Sequence, residues 1–122
     1  MARLKKKLKK EPRKELILKY VQNMSYEADN SDYRITWYYS DGIYDYSWCT
    51  DIDPATVDAS SACSRGRWRF GKNGDLQIKT TEDDENARVT DTYSPANYNG
   101  ASQEIETLKQ AILEHSLLLE DR

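Results

Sequence analysis

The stretch TWYYSDGIYDYSW, residues 36–48, sets six aromatic side chains around a single Asp-Gly pair. Asp41-Gly42 supplies the positive backbone angles of a two-residue type I′ turn, so the segment reads as a β-hairpin. Counting outward from that turn sets Tyr39 opposite Tyr44, Trp37 opposite Tyr46 and Ile35 opposite Trp48 on one face. Ser40 with Ile43, Tyr38 with Asp45, Thr36 with Ser47 and Arg34 with Cys49 take the other. In this register one face is almost wholly aromatic, whereas a slip of one residue scatters the rings over both. The aromatic face is read as core rather than as a platform for stacking bases, which leaves Tyr38 as the exposed aromatic.

RGRWRFGKNGDLQIKT, residues 65–80, gives a second hairpin. A two-residue Asn73-Gly74 turn would pair Phe70 with Gln77 and Trp68 with Lys79, apolar against polar. A three-residue loop, Lys72-Asn73-Gly74 with Gly74 left-handed, instead pairs Phe70 with Leu76 and Trp68 with Ile78. That register lines Arg65, Arg67, Arg69 and Lys79 along the opposite face as a basic strip. Between the hairpins, TDIDPATVDASSACS reads as a loop with one helical turn, and ARVTDTY, residues 87–93, as a fifth strand.

Two segments read as helices. In KKEPRKELILKYVQNMSYEAD, Pro12 suits a first turn, and Leu16, Ile17, Tyr20, Val21 and Met24 recur at three- and four-residue steps. In SQEIETLKQAILEHSLLLEDR, Ser102 reads as the N-cap, followed by Ile105, Leu108, Ile112, His115 and Leu119 at helical spacing, with Leu113, Leu117 and Leu118 widening the apolar face. The expected fold is α+β. An N-terminal helix, an antiparallel meander of four to five strands and a C-terminal helix follow in order, with both helices on the aromatic face and the basic strip exposed on the other. At 122 residues this is one domain, residues 12–122, preceded by a basic arm, residues 1–11.

Charge is segregated along the chain. Residues 1–19 hold nine Lys and Arg against two Glu, whereas residues 80–122 hold three bases against ten acids, within a formal net charge of −3. Such blocks seek opposite charge on a partner or on a neighbouring copy. An overall pI near 5.2 counts against a dedicated nucleic-acid binder. No run approaches the length of a membrane span, and no apolar stretch follows the basic start, so the expected place is cytoplasmic, or the virion if the chain is viral. Cys49 and Cys63, the only cysteines, are expected to be reduced thiols.

Residues able to carry chemistry are few. His115, the single histidine, falls on an apolar helical stripe and reads as packed. Asp51, Asp53 and Asp58 lack the glycine and final Glu of a calcium loop, and no glycine-rich phosphate cradle is present. The sequence therefore points to a non-enzymatic interaction or assembly protein of phage-type accessory or structural character, with no cofactor and no metal. The expected homo-oligomer interface is Ile105, Leu108, Ile112, His115, Leu117, Leu118 and Leu119 on the C-terminal helix. Two alternatives stand beside it. In one, nucleic acid or a protein partner is gripped by Lys5, Lys6, Lys7, Lys9, Lys10, Arg13 and Lys14 of the basic segment, with Arg65, Arg67, Arg69, Lys79 and Tyr38. In the other, a small ligand binds between the sheet and the 51–64 loop.

Overall fold

The computed structural model describes residues 15–24, 32–83, 89–90 and 92–120, with residues 119–120 described as backbone only. Its centre is one six-stranded antiparallel sheet in sequential order, formed by β1 (Leu16–Asn23), β2 (Asp32–Tyr39), β3 (Ile43–Thr50), β4 (Ser64–Phe70), β5 (Leu76–Asp83) and β6 (Ser94–Pro95). Among the described residues one α-helix, α1 (Ala101–Glu120), follows. The mixed α+β character holds, but there are six strands and no helix over residues 16–23.

The segment LILKYVQN is an edge strand because its side chains satisfy alternation as well as helical spacing. Leu18 and Tyr20 pack towards α1, while Lys19 points to the opposite face, where its ammonium donates to Pro54 O at 2.8 Å and Val57 O at 2.7 Å. Six apolar residues in nine fit a helix and a strand alike, and the open edge of β2 decides between them by offering backbone partners from Leu16↔Tyr39 to Asn23↔Tyr33. The last strand is likewise displaced. Residues 89–90 are not strand, although Thr90 N–H donates to Thr80 O at 3.0 Å, and pairing resumes at Ser94–Pro95 against β5.

The first hairpin is shifted by one residue from the expected pairing. Tyr38 faces Tyr44, Thr36 faces Tyr46 and Trp37 faces Asp45, across a three-residue connection, Ser40-Asp41-Gly42. A type I′ turn needs positive φ at both Asp41 and Gly42, and only Gly42, at φ 84°, adopts it. Asp41 instead accepts the Ile43 N–H on its carboxylate at 3.3 Å. Trp68 fixes the shifted turn from β4, its indole N–H shared between Tyr39 O at 3.1 Å and Ile43 O at 3.0 Å. The second hairpin has the expected register, with Phe70 on Leu76, Trp68 on Ile78, and Gly74 left-handed at φ 79°.

The shift splits the aromatics between two cores. On one face Ile35, Trp37, Tyr39 and Cys49 are buried beneath residues 54–62, where Val57, Ala59 and Ala62 pack against them. Two single 3₁₀ turns, Pro54–Thr56 and Ala59–Ser61, shape this cover, each capped by an aspartate: Asp53 accepts from Ala55 N–H and Asp58 from Ser60 N–H. At its centre Asp45, with no exposed surface, accepts from Arg65 Nε at 3.1 Å and from the Tyr39 hydroxyl at 3.2 Å. On the other face Tyr38, Tyr44, Leu76 and Leu108 form the second core, with Trp68 edge-on between Tyr38 and Phe70. One helix thus covers one face and an irregular loop the other, where two helices on a single aromatic face were expected.

A Cβ on Gly42 would lie 3.6 Å from Trp68 O, an ordinary contact, so replacing it costs chiefly the left-handed backbone. Gly42→Ala is expected to lose about 1–2 kcal/mol, and Gly42→Asn to lose clearly less, because Asn tolerates that region. Denaturant midpoints of the two variants at unchanged slope measure the difference.

Candidate functional site

The helix covers the turn end of its face of the sheet and leaves a hollow of about 210 Å³ at the other end. Small side chains make the space. Thr36, Ser64 and Thr80 line it, and Gly66, between Tyr44 and Thr80 in the pairing, contributes no side chain. A Cβ on Gly66 would lie 2.1 Å from Lys79 O and 2.5 Å from the Tyr44 ring, so the ring rests directly on the β4 backbone. Tyr38, Tyr44 and Tyr46 from the hairpin and Tyr98 from the segment before α1 supply the aromatic walls.

Arg34 is the one charged residue lining the hollow. Its Cζ lies 4.2 Å from the centre of the Tyr98 ring, and Nη2 donates to Gln22 Oε1. The Gln22 amide in turn donates to Asn99 O at 2.9 Å, which ties the Tyr98 segment to β1. Gly100, at φ 87°, completes the bend into α1.

Two carboxylates stand behind the wall. Glu104, 2% exposed in the first turn of α1, accepts from the Tyr38 hydroxyl and is also hydrogen-bonded to Tyr98. Asp83, on β5, accepts from the Ser64 hydroxyl. The Tyr44 hydroxyl pairs with Thr80 Oγ1 at 2.8 Å. Burial raises the phenol pKa of Tyr38 far above its ordinary value of 10.0, and the charge of Glu104 pushes the same way. Tyr98 is raised for the same two reasons, and Tyr44 is raised chiefly by burial. The phenols therefore stay neutral across the physiological range.

The residues singled out in the sequence are dispersed. Lys5, Lys6, Lys7, Lys9, Lys10, Arg13 and Lys14 lie outside the described residues, as does the Leu119 side chain. Tyr38 is 1% exposed, so it is a wall of the second core and not the exposed contact that the expected register made it. Arg65 is buried in its ion pair with Asp45, which removes it from the strip. Arg67 is exposed. Arg69 donates to Gln77 at 2.8 Å and stacks 3.7 Å from the Tyr93 ring, which Lys79 also approaches at 5.2 Å. On α1, Leu108 is fully buried, and Ile105 and Ile112 pack on the sheet, which makes these three part of the monomer's core. His115 Nε2 lies 3.7 Å from Glu15 Oε2, while Leu113, Leu117 and Leu118 are exposed.

The depression bounded by Tyr33 and residues 51–54 is more open than the hollow on the sheet face opposite the 51–64 loop. Arg34, Thr36 and Tyr38 alternate along β2, a pattern visible in the sequence, but only the three-residue turn places Tyr44 and Tyr46 beside them. Glu104 and Tyr98 carry no local signal of a site. Among the described residues no three metal-ligating side chains converge, and no helix is long and apolar enough to cross a membrane. No protein-family model, curated protein or solved structure matches the chain.

Raised phenol values have a consequence for stability. Below pH 10 the three tyrosines are protonated in both folded and unfolded chains, and their contribution is constant. Above it the unfolded chain ionises first and binds fewer protons, so stability falls as pH rises towards the folded values. Unfolding free energy measured from pH 8 to 12 is expected to drop beyond about 10, and Tyr38→Phe, which removes one such group, to flatten the fall.

Proposed function

We propose that the chain is a binding protein for a small ligand, seated in the hollow between β2–β5 and Tyr98. The hollow itself carries this reading. A space of about 210 Å³, larger than the roughly 150 Å³ cavity that holds a benzene molecule, is lined by three small hydroxyl residues, Thr36, Ser64 and Thr80, where the neighbouring positions are large and packed. Its walls combine aromatic faces with a few convergent polar groups, the usual make-up of a ligand site. Binding rather than turnover is favoured because the lining phenols are held neutral and His115, the one imidazole, is engaged with Glu15 on the last turns of the helix.

Thr36 is partly buried and lines the hollow, and its hydroxyl holds no partner among the described residues, so Thr36→Phe fills the space with little cost to the fold. A ligand-observed NMR screen of fragments of six to ten heavy atoms is expected to yield hits on the native chain that Thr36→Phe loses at least tenfold. Equal binding to both proteins would remove the hollow as the site.

A second reading is favoured by α1. Leu113, Leu117 and Leu118, each more than half exposed, project from a helix whose Ile105, Leu108 and Ile112 are spent on the sheet. We propose a second copy as their occupant, because Glu114, Glu120 and Asp121 flank the leucines and the chain carries its own basic segment in residues 1–19. Sedimentation at tens of micromolar is expected to give a dimer that Leu117→Glu converts to monomer. A native monomer ends this reading and leaves the ligand site untouched.

A further inference from the structure

Resting on the reading of the hollow as a ligand site, the hydrogen-bonding capacity that its walls have not spent identifies what kind of ligand it takes. Several of the lining hydroxyls are engaged within the protein. Tyr38 is bonded to Glu104 and to Tyr98, Ser64 donates to Asp83, and Tyr44 shares one hydrogen bond with Thr80. Two neighbours on β2 differ. Arg34 has five N–H donors, of which Gln22 takes one among the described residues, and the Tyr98 ring meets the guanidinium through its π-face without taking another. The Thr36 hydroxyl likewise holds no partner among the described residues. Both side chains are partly buried, both line the hollow, and they leave the same face of β2 about 7 Å apart. Unspent donors and the one positive charge of the hollow are thus gathered at a single place on its wall.

We infer that the ligand is a small aromatic monocarboxylate, its carboxylate on Arg34 and Thr36 and its ring against Tyr44, Tyr46, Tyr98 and Ile78. A carboxylate accepts on both oxygens and matches the planar fork of a guanidinium, and the Thr36 hydroxyl supplies a further donor beside it. A neutral ligand forgoes that charge-assisted pairing, and a cation meets Arg34 as a like charge. Gln22 and the Tyr98 ring already hold the guanidinium, so little is spent on ordering it. The ligand carries one negative charge and not two. Glu104 and Asp83, 2% and 7% exposed, stand behind Tyr38 and Ser64, and a second anionic group turned towards them would be repelled. The tyrosines select the body, because ring pairs gain edge and stacked contacts in addition to buried area. Size agrees. Scaling from about six heavy atoms of benzene in a cavity of roughly 150 Å³, a space of about 210 Å³ holds about eight or nine, the size of benzoate.

The test uses probes of nearly one shape that differ in charge: benzoate, the neutral benzamide and the cationic benzamidine. Cyclohexanecarboxylate keeps the charge and loses the flat ring. Calorimetry and ligand-observed NMR on the full chain are expected to show benzoate binding at least tenfold tighter than benzamide and several-fold tighter than cyclohexanecarboxylate, with benzamidine weakest. Arg34→Gln should bring benzoate level with benzamide. Arg34→Lys, which keeps the charge and loses the fork, should weaken benzoate several-fold and leave benzamide unchanged, and it carries the test if Arg34→Gln fails to fold. Thr36→Val, which keeps the shape and loses the hydroxyl, should also weaken benzoate several-fold. Benzamide or benzamidine matching benzoate on the native chain overturns the carboxylate, and cyclohexanecarboxylate matching it overturns the ring. A benzoate preference that survives both Arg34 variants, or the failure of all four probes to bind, overturns the inference as a whole. In each case the hollow as a site is judged separately, by whether fragment hits are lost in Thr36→Phe.

Discussion

Which side of the sheet each residue of β2 and β3 faces is decided by one backbone conformation, the left-handed Gly42. With Ser40 and Asp41 in ordinary regions and Gly42 alone at positive φ, the connection is three residues long and odd-numbered positions of β2 meet odd-numbered positions of β3. The alternative turn would require Asp41 at positive φ as well and would forgo the close of its carboxylate on Ile43 N–H. Trp68 adds a tertiary term, because its indole N–H and its backbone N–H reach the Tyr39, Ile43 and Gly42 carbonyls only in the observed turn. Local geometry and a distant strand thus agree on one register.

The burial of β2 and β3 follows from that register. It puts Asp45 on the face of the Tyr39 hydroxyl, and the β3–β4 pairing sets Arg65 directly across from it, so a charge that would be ruinous alone is paired on two sides. The same β2–β3 register turns Trp37 and Ile35 towards residues 54–62, and Lys19 fastens that cover by bonding two of its carbonyls and lying 5.8 Å from the Trp37 ring. On the opposite face it gathers Tyr38, Tyr44 and Tyr46. Without the shift, Asp45 would replace Tyr44 beside Tyr38, and no aromatic hollow would form.

How far the sequence disclosed this depends on what each pattern discriminates. In the second hairpin Trp68 and Phe70 alternate with arginines, so a wrong register sets apolar against polar and the loop length can be read directly. In the first, Trp37, Tyr38 and Tyr39 are consecutive, and any register buries some of them. A run of three large rings marks a strand covered on both faces, which alternation cannot orient. β1 failed for a related reason: its apolar residues fit two periods, and the deciding fact, an unpaired edge on β2, is tertiary. The hollow was least legible. Its walls come from four strands and a loop, and the bond from Tyr38 to Glu104 spans 66 positions.

Glu104 joins the fold to the site. It is a carboxylate with 2% exposure whose compensation comes from two phenols and from its place in the first turn of α1, where the helix dipole favours negative charge. Each partner needs the others: the helix is seated by Leu108 and the residues beside it, the phenols are seated by the sheet, and only their meeting makes the buried charge tolerable. The orientation of the Tyr38 hydroxyl is therefore fixed by folding. On the proposed reading of the hollow as a ligand site, polar groups set by the core would spend no binding energy on being ordered, and preorganisation of that kind counts for more than contact area in a space this small.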